Sequence, residues 1–284
     1  MNEPLHPRAE LWACAPGALA TLRAGLLDDF GAPTAPRIQR TYSVASVAVV
    51  RLAGVLEHRR ERDGGVFSGT STSLEATTSR LRQALADPVV TAIALDIDSP
   101  GGPVAGVPEL AAELRQARKP IVAVANTHAA GTALWLASQA SQFSVTASGS
   151  AGGLGVASVH ADESGRLAKQ GRRMTLIAAG KHKVDGNPYE PLSHDARQHM
   201  QREVDRWHAA FVRDVASGRK TSTAHVLAKF GAGRMLGARE AVAAGMADRV
   251  ETLEQAIERL QRGGTAPRRS GARARAFAAE LGFS

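Results

Sequence analysis

Between residues 44 and 177 the chain repeats one order: an apolar, β-branched run, a turn rich in glycine, then a stretch with helical apolar spacing. Strands separated in this way pair in parallel, and the intervening helices cover the sheet they connect, so the pattern predicts an α/β domain with a parallel sheet core. Val47, Val49, Val50 and Leu52 mark a strand over 44–52, ended by Gly54. A polar, glycine-rich run over 59–73 reads as a surface loop, and Leu74, Leu81 and Leu85 place a helix over 73–86. The nearly continuous apolar run at 89–97 is a strand buried on both faces. A helix at 107–117, a strand at 121–125, a helix through Ala133, Leu134, Leu136 and Ala137, and strands at 143–146 and 174–177 continue the series. Met200, Val204, Trp207, Phe211 and Val215 then line one face of a long helix, and helical segments at 238–244 and 253–260 close the domain.

The flanks differ from this core. Leu11, Leu19, Leu22 and Leu26 give residues 8–30 a helical pattern, broken by Gly31, Pro33 and Pro36, so 1–40 reads as a helical arm before a domain at 41–260. Residues 261–284 hold five arginines and one glutamate, half of the formal net charge of +8, in a glycine- and proline-bearing stretch that reads as a flexible basic tail. Nucleic-acid contact is expected only through that tail, which has no interleaved aromatics of the kind that stack on bases. Cys14 is the single cysteine, which excludes an internal disulfide and favours a reducing compartment. With no run of eighteen apolar residues and no leader-like N-terminus, neither a membrane span nor export is expected.

Four glycine-rich segments follow strands and carry the chemistry. Asp98-Ser99-Pro100-Gly101-Gly102 ends the buried strand. Its two glycines permit positive φ and can aim backbone N–H groups into a cleft at the carboxyl edge of the sheet, as an oxyanion hole requires. The second segment, Asn126 to Ser138, feeds a helix whose N-terminal amides favour an attacking oxygen. Gly149 to Val156 brings further close backbone approach, and the loop at 179–188 supplies Lys181, His182 and Lys183. A lysine acts as a general base only where its surroundings lower its pKa. Asp96 and Asp98 read as hydrogen-bonding groups for the turn, and His128 and His182 as loop histidines without metal-ligand spacing. Trp135 and Trp207 read as core anchors, and Ser138 and Ser141 as structural.

In sequence, these segments and the Glu240-Ala241-Val242-Ala243-Ala244-Gly245-Met246-Ala247-Asp248 stretch resemble landmarks of the signal peptide peptidase A family, over about 44–260. The Gly180-Lys181-His182-Lys183-Val184-Asp185-Gly186-Asn187-Pro188 form and the preceding arm are most similar to the members encoded with phage capsids and prophages, which trim scaffold and capsid proteins in the procapsid. The resemblance implies the Clp-protease/crotonase-like fold of repeated ββα units and a serine-type endopeptidase with a Ser/Lys dyad. It implies Lys183 as the base, Gly102 with Gly101 at the oxyanion hole, and no cofactor. It also implies a peptide or protein substrate such as scaffold or capsid protein, a homo-oligomer, and a place in the host cytoplasm or procapsid interior.

Two positions depart from that pattern. Gly131 stands where the family has its serine, and Gly153 where a later serine is usual. Three accounts follow. Thr132 could take over as nucleophile, the chain could be an inactive pseudoprotease with a structural role in capsid assembly, or the glycine could be an introduced change that traps substrate. A crotonase-like acyl-CoA lyase or hydratase would use the same sheet, yet no segment suggests a nucleotide pocket.

Overall fold

The computed structural model describes residues 11–15, 42–44, 46–59 and 71–263. Its centre is a sheet in the order β10-β7-β6-β5-β3-β2. These strands are Arg249–Val250 (β10), Gln142–Val145 (β7), Ile121–Ala130 (β6), Ala92–Pro103 (β5), Val47–Glu57 (β3) and Tyr42–Val44 (β2). All neighbours run parallel except β2 and β3. The architecture is therefore α/β with a mainly parallel core, as the alternating pattern predicts.

The three long strands outrun this sheet at their carboxyl ends, where each takes a second partner. There β3 pairs with Ser71–Ser73 (β4), β5 with Trp12–Cys14 (β1), and β6 with Ser150–Gly152 (β8), which in turn pairs with Met235–Gly237 (β9). Register shifts at Ala53/Val55 and at Ile97/Ser99 mark where the strands bend into this second layer.

Helices cover both faces, because the strands alternate two apolar sets. Leu74–Ala86 (α1), Val107–Gln116 (α2) and Thr132–Ala137 (α3) pack with Val50, Leu52, Ile93, Leu95, Ile97 and Ala123. The other set, including Val47, Val49, Ala94, Val122 and Val124, is closed by Leu253, Ala256, Ile257 and Leu260 of Leu253–Gln261 (α8). Thr252 caps α8 in a box with Gln255, so its start is fixed independently of packing. Ile257 is 7% exposed. Ile257→Ala is expected to cost about 2–5 kcal/mol by emptying this contact, measured by denaturant unfolding.

All six residues of α3 are buried. Trp135 stacks on Phe211 of His194–Gly218 (α5) with centroids 4.6 Å apart and planes 6° from parallel, and its Nε1–H donates to Asp214 at 2.9 Å. Position 131, at the start of α3, is thereby tied to α5, the longest helix among the described residues. The remaining helices among the described residues are Ser164–Lys169 (α4), Thr223–Lys229 (α6) and Ala238–Ala243 (α7), with a 3₁₀ turn at Gly231–Gly233.

Three expectations are corrected. Trp12–Cys14, within the stretch read as helical, is a strand, because pairing with β5 outweighs the local leucine spacing. The Ser99-Pro100-Gly101-Gly102 segment is not a turn that ends its strand but lies inside β5, kept extended by pairing with β1. Met174 to Ile177 form no strand, since none of the described residues pairs with that backbone, and Ile177 is 95% exposed. The rest of the arm and nearly all of the tail lie outside the described residues.

Candidate active site

The carboxyl ends of β5 and β6 meet β8 at a hollow lined by glycine. Gly131 bridges β6 and α3 with φ 52° and ψ −118°, a conformation strained for any residue with a side chain, at a strand-to-helix bend of the kind used to expose a nucleophile. Its N–H donates to the Gly152 carbonyl at 3.0 Å, and its carbonyl accepts from Trp135 N–H at 3.0 Å, so the bend is pinned on both sides. A β-carbon on Gly153 would lie 3.1 Å from the Gly131 nitrogen. The two positions that depart from the serine pattern are therefore neighbours.

Strand β1 lies across this hollow, a feature with no mark in the sequence reading. Ala15 N–H donates to the Pro100 carbonyl at 2.8 Å and Val104 N–H to the Leu11 carbonyl at 3.0 Å, with Ala13 opposite Gly102 between them. In that antiparallel register Ala13 and Gly102 form a hydrogen-bonded pair, so the Gly102 N–H faces the Ala13 carbonyl. A β-carbon on Gly101 would meet the Ala13 oxygen at 2.3 Å, and one on Gly131 would meet it at 2.1 Å and the Ala13 carbonyl carbon at 2.2 Å. The Ala13 carbonyl thus lies between two bare α-carbons, against an amide of β5.

The two glycines of β5 differ in what they contribute. Gly101 N–H donates to Ser99 Oγ at 3.1 Å, and Ser99 Oγ donates to the Gly54 carbonyl at 2.7 Å, so the Gly101 amide is already engaged. What Gly101 offers is room. The first amides of α3, Thr132 among them, have no intrahelical acceptor and supply the second set of donors at this edge.

Thr132 has no exposed surface, and its Oγ1 is buried without a hydrogen-bond partner among the described residues. Lys183 lies in the exposed turns at 181–186; its backbone N–H donates to Gly180, and its ammonium makes no hydrogen bond or ion pair among the described residues. The structure therefore gathers Gly101, Gly102, Gly131 and Thr132 at one edge, and among the described residues no hydrogen bond or ion pair joins Lys183 to them. His182 bonds Asp185 three residues on at 3.0 Å, and His128 bonds Ser150 of the paired strand β8 at 2.9 Å. Among the described residues no three His, Cys, Asp or Glu side chains gather as a metal site, and no helix is long and apolar enough to cross a membrane.

Asp96 stands farther back on β5, nearly buried, accepting from Asn126 Nδ2 at 3.2 Å with Arg51 at 3.7 Å. Burial is the larger influence and raises its carboxyl above the ordinary 3.8, against the downward pull of Asn126 and Arg51. The folded state thus holds this proton more tightly than the unfolded one, so the group's contribution to stability declines as pH rises through a window that starts near 3.8. Asp96→Asn keeps an acceptor for Asn126. It is expected to raise the melting temperature at neutral pH, with the gain shrinking as the pH is lowered through that window, in thermal scans at both ends.

Fold and site together define an α/β protein with a mainly parallel sheet, whose own extended segment 11–15 lies antiparallel along β5 with the Gly102 amide turned toward the Ala13 carbonyl. More narrowly, the chain belongs to peptidase family S49, whose model matches residues 113–266, more than half of its length. It is 37% identical over 243 residues to the capsid assembly protease C of Escherichia phage lambda, covering 84% of this chain and 53% of that protein. It is 35% identical over 274 residues to the head-tail preconnector protein GP5 of Enterobacteria phage P21, covering 92% and 52%. A putative signal peptide peptidase SppA of Enterococcus faecium is 24% identical over 203 residues, covering 70% and 59%. The chain spans about half the length of the two phage proteins.

Proposed function

We propose that the chain is a capsid-assembly member of the S49 peptidases whose groove takes an extended segment of a capsid or scaffold protein, and that with glycine at 131 it binds this segment without cutting it. One observation carries the reading: the Ala13–Cys14 peptide bond lies over Gly131, where a nucleophile would be, and Gly131 has no side chain. Thr132, the other candidate, is enclosed in the first turn of α3. Its unpaired hydroxyl is the one feature favouring a second reading, in which a small shift of the helix start brings Oγ1 to the peptide and the chain cleaves. The relatives named for capsid assembly and for the head-tail preconnector support the substrate class, and imply action within a procapsid or the host cytoplasm.

Lys183 is assigned as the base of the ancestral dyad, presented by a neighbouring copy. The support is physical: Lys183 is exposed, and the adjoining Met174, Leu176 and Ile177 leave apolar surface uncovered, 95% exposed at Ile177. Light scattering after size exclusion should show an assembly at micromolar protein, and a monomer alone would defeat that part. For the function, incubation with casein and with co-expressed capsid and scaffold proteins should yield stable complexes and no fragments. Fragments that vanish in Thr132→Ala would establish the second reading instead.

A further inference from the structure

The groove is occupied by the chain itself. Leu11, Ala13 and Ala15 face β5, and Trp12 between them exchanges two hydrogen bonds with Ala157 on the other edge, its N–H donating at 2.9 Å and its carbonyl accepting at 2.8 Å. Residues 11–15 are therefore held along both edges, the way an added peptide strand is bound. Three glycines leave room for this short segment: β-carbons on Gly101 and Gly131 would collide with Ala13, and one on Gly153 would press on the Cys14 carbonyl at 3.2 Å. Ordinary strand pairing does not require such a hollow; the seating of an acyl carbon and its oxygen does.

We propose that residues 11–15 are a displaceable, substrate-like occupant of this groove, and that their sequence states what the groove accepts. The proposal rests on the reading of the hollow as a peptide site. Ala13 has no exposed surface, so the position whose carbonyl meets Gly131 takes only a small side chain. Trp12 is 6% exposed, so the preceding position takes a large apolar one. A capsid or scaffold segment of the form large apolar, small, small must then compete with the chain's own strand, which is tethered beside the groove and present at high effective concentration. The pairing acts as a threshold: only a well-matched peptide at high local density, as inside an assembling shell, displaces it.

The test uses the full-length chain and a fluorescent peptide with the sequence of residues 10–17, Glu-Leu-Trp-Ala-Cys-Ala-Pro-Gly. Trp12→Ala removes the buried anchor and Ala13→Leu overfills the small position, so each should free the groove. Both variants are expected to bind the peptide at least about tenfold more tightly than the wild type, since an occluded site loses apparent affinity in proportion to its free fraction. A control peptide with leucine in place of the first alanine should bind neither. In the unaltered chain, the Val104 and Ala157 amides, which donate to Leu11 and Trp12, should exchange with deuterium at least about 100-fold slower than exposed amides. That measurement needs no variant to fold. Wild type that binds the peptide as tightly as the variants do, or that shows no protection at Val104 and Ala157, overturns the occlusion while leaving peptide binding intact. No binding by any form, at peptide concentrations that saturate other strand-binding sites, overturns the groove reading itself.

Discussion

Gly131→Ser should turn the chain into an endopeptidase, raising cleavage of small-residue peptides by at least about 10³-fold over the glycine form, a floor well below the roughly 10⁶-fold lost when a serine nucleophile is deleted. The bend that positions the residue is already built: φ is 52°, the Gly152 carbonyl holds the N–H, and the stacked Trp135 anchors the helix behind it. A serine there accepts roughly 1–3 kcal/mol of backbone strain, which should appear as a lower melting temperature. It also cannot coexist with β1 as placed, because its β-carbon would come within 2.1 Å of the Ala13 oxygen. The substitution should therefore expel the chain's own strand and open the groove to added peptide. Since no hydrogen bond or ion pair among the described residues ties Lys183 to the hollow and its proposed partner is a neighbouring copy, activity per molecule should rise with protein concentration as copies assemble. Adding Lys183→Ala should return it to background. Activity that persists without Lys183, or that is undiminished on dilution to monomer, would remove Lys183 from the mechanism. Fragment analysis by mass spectrometry on a peptide of the 10–17 sequence reads both the rate and the bond cut.

How far the sequence reveals this site depends on the range of the interactions involved. Helix α8 and the core of β5 are legible because apolar spacing is a local signal, here Leu253, Ala256, Ile257 and Leu260 on one face and an unbroken run on the strand. The glycines of the hollow are legible as motifs, and their clustering at one sheet edge follows from parallel strands sharing a carboxyl end. Strand β1 is not, because Leu11 with Leu19, Leu22 and Leu26 has a helical period, while the hydrogen bonds that make Trp12–Cys14 extended lie nearly ninety residues away. The persistence of β5 through Pro100 and Gly102 escapes for the same reason: proline and glycine mark a turn unless a partner holds them extended. Ser99 as the acceptor for the Gly101 amide is likewise a consequence of that geometry, and it separates two glycines the sequence treats as a pair. The segment through Met174 and Ile177 has the composition of a strand without a partner among the described residues.

Gly102→Ala is expected to damage both the fold and the groove, whereas alanine at an open glycine does neither. A β-carbon on Gly102 would lie 2.1 Å from the Leu56 oxygen and 3.0 Å from the Leu56 nitrogen and carbonyl carbon, all of them backbone atoms of β3. No rotamer change relieves such a contact, so β3 and β5 must part where Val55 faces Gly101. Overpacking a buried site costs typically about 1–3 kcal/mol, and a clash with strand backbone belongs at the upper end or beyond. The strand shift carries the Gly102 amide away from the acyl oxygen it faces, so peptide binding should fall together with stability. Gly165, on the exposed side of α4, provides the contrast: nothing lies within 4 Å of its β-carbon position. Gly165→Ala should stabilise the protein by about 0.5–1 kcal/mol through helix propensity and leave binding unchanged. Denaturant unfolding and peptide titration in a Trp12→Ala background, where the groove is open, compare the two directly. If Gly102→Ala bound peptide as well as Gly165→Ala does, the β5 amide would not be the group that holds the carbonyl.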